Sequence, residues 1–284
     1  MDRTISIILI LMISVGLAYF FWQESTAKNK NTQLEEVEIV QQSTVERNVA
    51  EPPQVKFPVP DAIDYSEIKE QENEPETIQA EELPLPDLND SDQEMRAALE
   101  NSYDVERLAR LFLFDDFIRR FVVTIDNLTA RKLSQRFVFT VKPENRFLVK
   151  QSDVDEVSTL DTENYSRYTP YISFITAVSD EKIVAIYVRY YSLFQESYEE
   201  LGYPDAYFND RLIEVIDHLL QTPTPAQPIF LKQPKVYFQF VNPELEALSA
   251  GQKIIIRIGE ENARIIKTKL SALRTLLTTL QPVR

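Results

Sequence analysis

Apolar side chains recur along this chain with three different rhythms: an uninterrupted run near the start, a polar stretch with no period, and a long region dominated by a helical repeat. The helical region opens at Ser91, which with Glu94 makes a capping-box pattern ahead of Met95, Ala98 and Leu99. Val105, Leu108, Ala109, Phe112 and Leu113 then fall at i, i+3, i+4, i+7 and i+8, and Phe117, Phe121, Val122 and Ile125 carry the pattern through 114–128. Residues 137–141 and 146–149 read as two short strands around the turn Lys142-Pro143-Glu144-Asn145, and 151–163 as an acidic surface loop. Helices are predicted over 165–178 and 180–201, the second ended by Gly202 with Pro204 just beyond it. Residues 205–220 form an amphipathic helix, 222–228 break it with prolines, and 229–231 and 236–241 read as strands. Pro243 opens a further helix, the run 254–258 suits a strand as well as a helix, and 260–280 closes the pattern as a helix. The predicted class is mainly α with a minor β component, a multi-helix globular domain over 91–284 with short β-hairpins.

Upstream the pattern changes twice. Residues 5–22 (ISIILILMISVGLAYFFW) carry no charge and only Ser6 and Ser14 as polar interruptions. At 1.5 Å per residue such a run is roughly 27 Å long, close to the ~30 Å hydrocarbon core of a bilayer. Its end, Tyr19, Phe20, Phe21 and Trp22, suits the membrane interface and favours a retained transmembrane anchor. A cleaved signal peptide is the alternative, with Ser25-Thr26-Ala27 as its cleavage site. Arg3 on one side nearly balances Lys28 and Lys30 on the other; the short end 1–4 is expected in the cytoplasm and the rest outside the inner membrane. Residues 23–90 hold seven prolines and no glycine, and predict a disordered, acidic stalk. The apolar patch 55–59 (VKFPV) inside it reads as incidental to a linker in preference to a recognition peptide.

Charge sharpens this division. Residues 24–92 contain 18 acids and five bases, whereas 93–284 contain 26 and 24. The acidity of the chain therefore belongs to the stalk, and neither part offers the basic field that nucleic acid needs. Beyond Trp22 the only glycines are Gly202, Gly251 and Gly259, which excludes the phosphate-cradling loops of nucleotide sites and the G-x-S-x-G nucleophile turn. With no cysteine and one histidine, His218, zinc sites of the Cys/His type and disulfides are excluded as well. No cofactor, metal or nucleotide is expected.

Candidate chemistry is sparse. Projected at 100° per residue, Phe208, Leu212, Val215, Ile216 and Leu219 share one side of the 205–220 helix, and Asp210, Glu214 and Asp217 share the other, flanked by Arg211 and His218. Three carboxylates on one stripe could supply an acid/base pair. A solvated face relieved by Arg211–Glu214 and Glu214–His218 pairs is the preferred reading. Nine tyrosines fall between 165 and 207, most of them expected in the core; Tyr203 and Tyr207, beside the Gly202-Tyr203-Pro204 turn, are the candidates for exposed binding aromatics. Arg119 and Arg120 are expected to form local ion pairs with Asp115, Asp116 or Asp126.

Residues 198–223 (YEELGYPDAYFNDRLIEVIDHLLQTP) and 243–269 (PELEALSAGQKIIIRIGEENARIIKTK) resemble the signature segments of domain-of-unknown-function family 3014, with 90–99, 119–128 and 168–178 also fitting it. The resemblance implies a bacterial protein with one N-terminal membrane span and an acidic, proline-containing spacer. It carries no activity and no catalytic residue. Together these readings point to a single-pass inner-membrane protein, contacting the bilayer through 5–22 and an envelope protein or cell-wall component through a periplasmic domain. The alternative is an envelope hydrolase using Asp210, Glu214 or Asp217 as acid and base.

Overall fold

The computed structural model describes residues 54–60, 84–100, 105–152 and 156–280. The predicted anchor at 5–22 and the rest of the stalk lie outside them, and among the described residues no helix is long and apolar enough to cross a membrane.

In chain order the α-helices are α1 (Ser91–Glu100), α2 (Val105–Leu111), α3 (Phe117–Asn127), α4 (Thr169–Thr176), α5 (Asp180–Arg189), α6 (Tyr191–Glu200), α7 (Phe208–Leu220), α8 (Pro243–Ala247), α9 (Ala250–Arg257) and α10 (Glu260–Thr278). The strands are β1 (Val149–Gln151), β2 (Val157–Leu160), β3 (Phe230–Lys232) and β4 (Gln239–Phe240), paired in that order and antiparallel throughout. The result is a mainly helical fold with one small sheet.

Helices α7 and α10 form its spine. Phe208, Leu212, Val215, Ile216 and Leu219 of α7 are at most 2 % exposed, and Ile266, Leu270, Leu273 and Leu277 bury the matching stripe of α10. Each such side chain contributes about 1.5–3 kcal/mol relative to exposure, so the two stripes hold the helices together. α10 packs along α7, α5 and α4, and α3 packs along α6 and α7. Between α3 and the α6–α7 pair the core is aromatic: the Phe121 ring lies 5.4 Å from Phe139 and 5.3 Å from Phe194, and Phe194 stacks on Phe208 at 6.0 Å. The sheet covers a second apolar cluster built from Phe147, Leu160, Ile229, Leu231, Phe240 and Ile256.

Several expected elements are corrected. Residues 137–141 do not pair with 146–149. Val138 and Phe139 are consecutive and both buried, so the segment threads the core, where Leu113 N–H donates to Phe139 O (2.7 Å) and Val141 N–H to Leu111 O (2.8 Å). The expected surface loop 151–163 instead contains β2, whose partners in β3 are remote in sequence, with Ser158 opposite Leu231. The expected 180–201 helix breaks at Tyr190, so that α5 packs on α10 while α6 packs on α3. No proline or glycine marks this break; packing on two different neighbours does. Residues 254–258 are helical, and the start of α9 carries a capping box from Ser249 and Gln252.

Two further corrections concern the domain's upstream edge. Ser91 does not cap α1: its Oγ donates to Leu88 O (2.8 Å), and α1 continues from a 3-10 turn at Leu88–Asp90. Leu88 is buried and Leu85 packs on the core, so apolar packing extends upstream of Ser91. Asp92, in the first turn of α1, accepts the N–H groups of Asp116 and Phe117 (both 2.8 Å) and so serves as the cap of α3. Helix N-termini leave such amides unpaired, and here a neighbouring element satisfies them.

Gly251 marks a close approach of α9 to α7 and to the end of α3. Its N–H donates to Leu128 O (3.0 Å), and a Cβ there would stand 2.6 Å from Leu219 Cδ2 and 3.0 Å from Leu128 O. Gly251→Ala is therefore expected to destabilise the domain by about 1–3 kcal/mol, read as a lowered midpoint in thermal or urea unfolding.

Candidate functional site

Part of the predicted stalk is seated on the domain. Residues 54–60 (QVKFPVP) pass the first turn of α7, where Lys56 N–H donates to Asp210 Oδ2 (3.0 Å) and Phe57 N–H to Asp210 Oδ1 (2.9 Å). Asn209 Nδ2 donates in turn to the Phe57 carbonyl (2.8 Å). The chain bends at Lys56 and Phe57, which turns two successive amides toward one carboxylate. Burial alternates along the segment: Val55, Phe57 and Val59 are half-buried, while Gln54, Lys56 and Pro58 are exposed. Phe57 and Val59 pack against the main core. The 55–59 patch is thus a docked strap and not an incidental feature of a linker. Bulk composition hides it because acids on both sides dominate any average over the stalk.

The seat follows from how α7 begins. An aspartate in the first turn usually turns back onto the amides of its own helix. In α7 the Phe208 N–H is already taken by Gln195 Oε1 of α6 (2.8 Å), and Gln195 Nε2 donates to Ala206 O (2.8 Å) and Glu199 Oε1 (2.9 Å). The Tyr191 hydroxyl also donates to Gln195 Oε1 (3.2 Å). Burial pushes the Tyr191 pKa up to about 12, the Asn209 main-chain amide opposing, so the hydroxyl keeps its proton at neutral pH. With the helix start served by α6, the Asp210 carboxylate faces the strap. Asn209 is fully buried, and its Oδ1 has no hydrogen-bond partner among the described residues. Bonds to a carboxylate contribute about 1.5–3 kcal/mol each and a neutral amide bond about 0.5–1.5 kcal/mol, with the lower ends applying where water competes.

The other candidate side chains on this helix are dispersed among separate partners. Arg211 Nε pairs with Asp126 Oδ1 (2.8 Å), and its Nη2 donates to Asp126 O (2.7 Å) and Thr129 Oγ1 (2.8 Å), which ties α7 to the end of α3. Glu214 pairs with Arg211 Nη1 (2.9 Å). Burial works against the Arg211 charge, and the bonds from Glu214 and Asp126 more than offset it, raising its pKa. Asp217 pairs with Arg274 of α10. The three carboxylates of the stripe thus engage the strap, Arg211 and Arg274 respectively. Arg119 pairs with Glu200 (2.7 Å) and Asp116 (3.6 Å), and Arg120 with Asp115 (2.8 Å), whereas Asp126 serves Arg211.

Of the nine tyrosines, Tyr168, Tyr171, Tyr187, Tyr190 and Tyr198 are buried, while Tyr203 (41 %) and Tyr207 (38 %) are the exposed ones. Tyr203 stacks on Tyr198 with ring centroids 4.7 Å apart. Among the described residues no cluster of three or more His, Asp or Glu side chains is placed to hold a metal ion. Asn209 and Gln195 escape a sequence reading because neither side chain advertises its partner. The alternation of Val55, Phe57 and Val59 is the one signal that could have exposed the strap.

His218 Nε2 lies 2.8 Å from Ser249 Oγ, which itself accepts the Gln252 N–H (3.2 Å). This contact and the partial burial of the ring tie the imidazole to the start of α9. Burial, with Arg211 adding and Glu214 opposing, holds the His218 pKa below the ordinary 6.5. A depressed histidine pKa means that the unfolded chain takes up the proton first as pH falls. The stability this group contributes is therefore present above about pH 6.5 and is lost as pH falls from there through the lower folded pKa. His218→Gln keeps a hydrogen-bonding side chain beside Ser249 and should lose less stability than the unmodified protein between pH 7.5 and 5 in urea unfolding; equal losses would contradict a depressed histidine pKa.

No curated protein and no solved structure matches the chain. Residues 117–274 match the family described as Protein of unknown function (DUF3014). The match starts at the first residue of α3, ends within α10 and includes Gln195, Asn209 and Asp210, while the strap lies outside it. Since it spans more than half of the sequence, this chain belongs to the DUF3014 family.

Proposed function

We propose that the chain is a single-pass protein of the bacterial inner membrane whose helical domain stands in the periplasm and acts by binding an envelope partner, without catalysis. The observation that carries this reading is the strap on α7: the domain takes hold of the main chain of a bent peptide segment through Asp210 and Asn209. A surface that satisfies main-chain amides and a carbonyl while covering apolar side chains has the chemistry of a peptide-binding module. The apolar run 5–22 supports the anchor, and the acidic sequence that follows supports a spacer between bilayer and domain. Tethering restricts the domain to partners within reach of the membrane and raises their local concentration.

The test is in-cell crosslinking of the full-length protein, set beside a version in which residues 1–22 are replaced by a cleaved export leader. The anchored protein is expected to yield a discrete crosslinked partner, and the released protein to lose most of that product. Equal crosslinking and full function from the released form would contradict the tethering role.

A further inference from the structure

We infer that the start of α7 is a peptide-recognition site that serves a ligand in trans, and that residues 54–60 are its built-in competitor. The ligand class is a segment of a partner protein with the order aliphatic–basic–aromatic–Pro–aliphatic, bent ahead of the aromatic residue so that two successive amides face one carboxylate. The inference deepens the binding reading above and rests on it for the existence of a partner.

Each part of that ligand description comes from the seated strap. Asp210 holds the N–H groups of Lys56 and Phe57, and Asn209 holds the Phe57 carbonyl, so three main-chain groups of two adjacent residues are read regardless of side chain. Phe57 and Val59 reach the core and Val55 is half-buried beside them, which sets apolar residues at alternate positions. Pro58 is exposed, so a residue without an N–H loses nothing there, and its ring disfavours helical backbone at Phe57. The reading carboxylate, with Glu199 held nearby through Gln195, gives the seat a negative field that suits a cation at the Lys56 position.

Several observations make the strap a competitor more than a permanent part of the fold. Among the described residues it makes three hydrogen bonds to the domain, and Val55, Phe57, Val59 and Pro60 are only partly covered, with Lys56 bonded at an exposed position. Such a set is weak for a separate peptide, with a dissociation constant on the order of 0.1 mM. Only 23 residues of sequence, 61–83, join the strap to the domain, and a connection of that length supplies a local concentration on the order of 1 mM. The strap therefore wins by covalent proximity, and a better-matched segment from a partner displaces it. Asn209 Oδ1, on the same side chain whose Nδ2 donates to the Phe57 carbonyl, is buried and without a hydrogen-bond partner among the described residues, an acceptor that the strap leaves unused.

The test uses the full-length protein in lipid nanodiscs and a fluorescent peptide of sequence QVKFPVP as probe. Phe57→Ala disables the strap and leaves the seat; Asp210→Asn keeps the side-chain shape and removes the double acceptor. In fluorescence polarisation, Phe57→Ala should bind the probe saturably and about tenfold more tightly than the unmodified protein, the ratio set by the competing local concentration. Adding Asp210→Asn to Phe57→Ala should abolish this binding while circular dichroism stays unchanged. If that double variant fails to fold, a probe with N-methylated Lys56 and Phe57 amides, offered to Phe57→Ala, should fail to bind in its place. Equal binding by Phe57→Ala and the unmodified protein, or no binding by either, overturns the inference. A concentration-dependent dimer of the unmodified protein that disappears in Phe57→Ala would also overturn it, since the occupant would then be the strap of a second copy. None of these outcomes depends on capturing an envelope partner, so failure of the crosslinking experiment and failure of this one are distinguishable.

Discussion

Helix α7 must satisfy two surroundings at once, and the rest of the domain is arranged around that demand. Its apolar stripe, from Phe208 to Leu219, is buried against α10, α3 and the aromatic core. Its polar stripe is almost fully engaged too: Asp210 holds the strap, Arg211 pairs with Asp126, Asp217 with Arg274, and His218 with Ser249. These links reach upstream to residue 56 and downstream to α9 and α10. A helix gripped on both sides has a fixed rotation, and that rotation is what points Asp210 outward beside the Phe57 site.

A second regularity is that helix ends are satisfied from neighbouring elements. Asp92 of α1 accepts two successive amides at the start of α3, and Gln195 of α6 serves the start of α7. Asp210 then repeats with Lys56 and Phe57 what Asp92 does with Asp116 and Phe117. The first of these carboxylates joins two helices inside the fold, and the second joins α7 to the segment 54–60.

Much of the helical framework is legible in the sequence, since the apolar residues of 208–220 and 260–278 follow the helical period so closely that a single projection identifies their buried faces. What escapes is non-local. β2 needs β3 as a partner, the break at Tyr190 needs two different packing neighbours, and the burial of Val138 and Phe139 needs a core to thread. None of these requirements leaves a periodic trace. The polar face of α7 reads correctly as charged and helical, but the identity of each partner, Asp126, Arg274 or Ser249, depends on elements far along the chain. The strap is hidden for the opposite reason: its local alternation is visible in Val55, Phe57 and Val59, and the acidic composition around it outweighs three residues.

Asp210 and Asn209 hold the main chain at residues 56 and 57 at the start of α7. Amide hydrogen exchange on the full-length protein, compared with Asp210→Ala, tests it most directly. Slow exchange is expected at the Lys56 and Phe57 amides in the unmodified protein. In Asp210→Ala those two amides should exchange at the rate of an unfolded chain, with the amides of α7 and α10 unaffected. Fast exchange at both positions in the unmodified protein, or the same protection in both proteins, would contradict it.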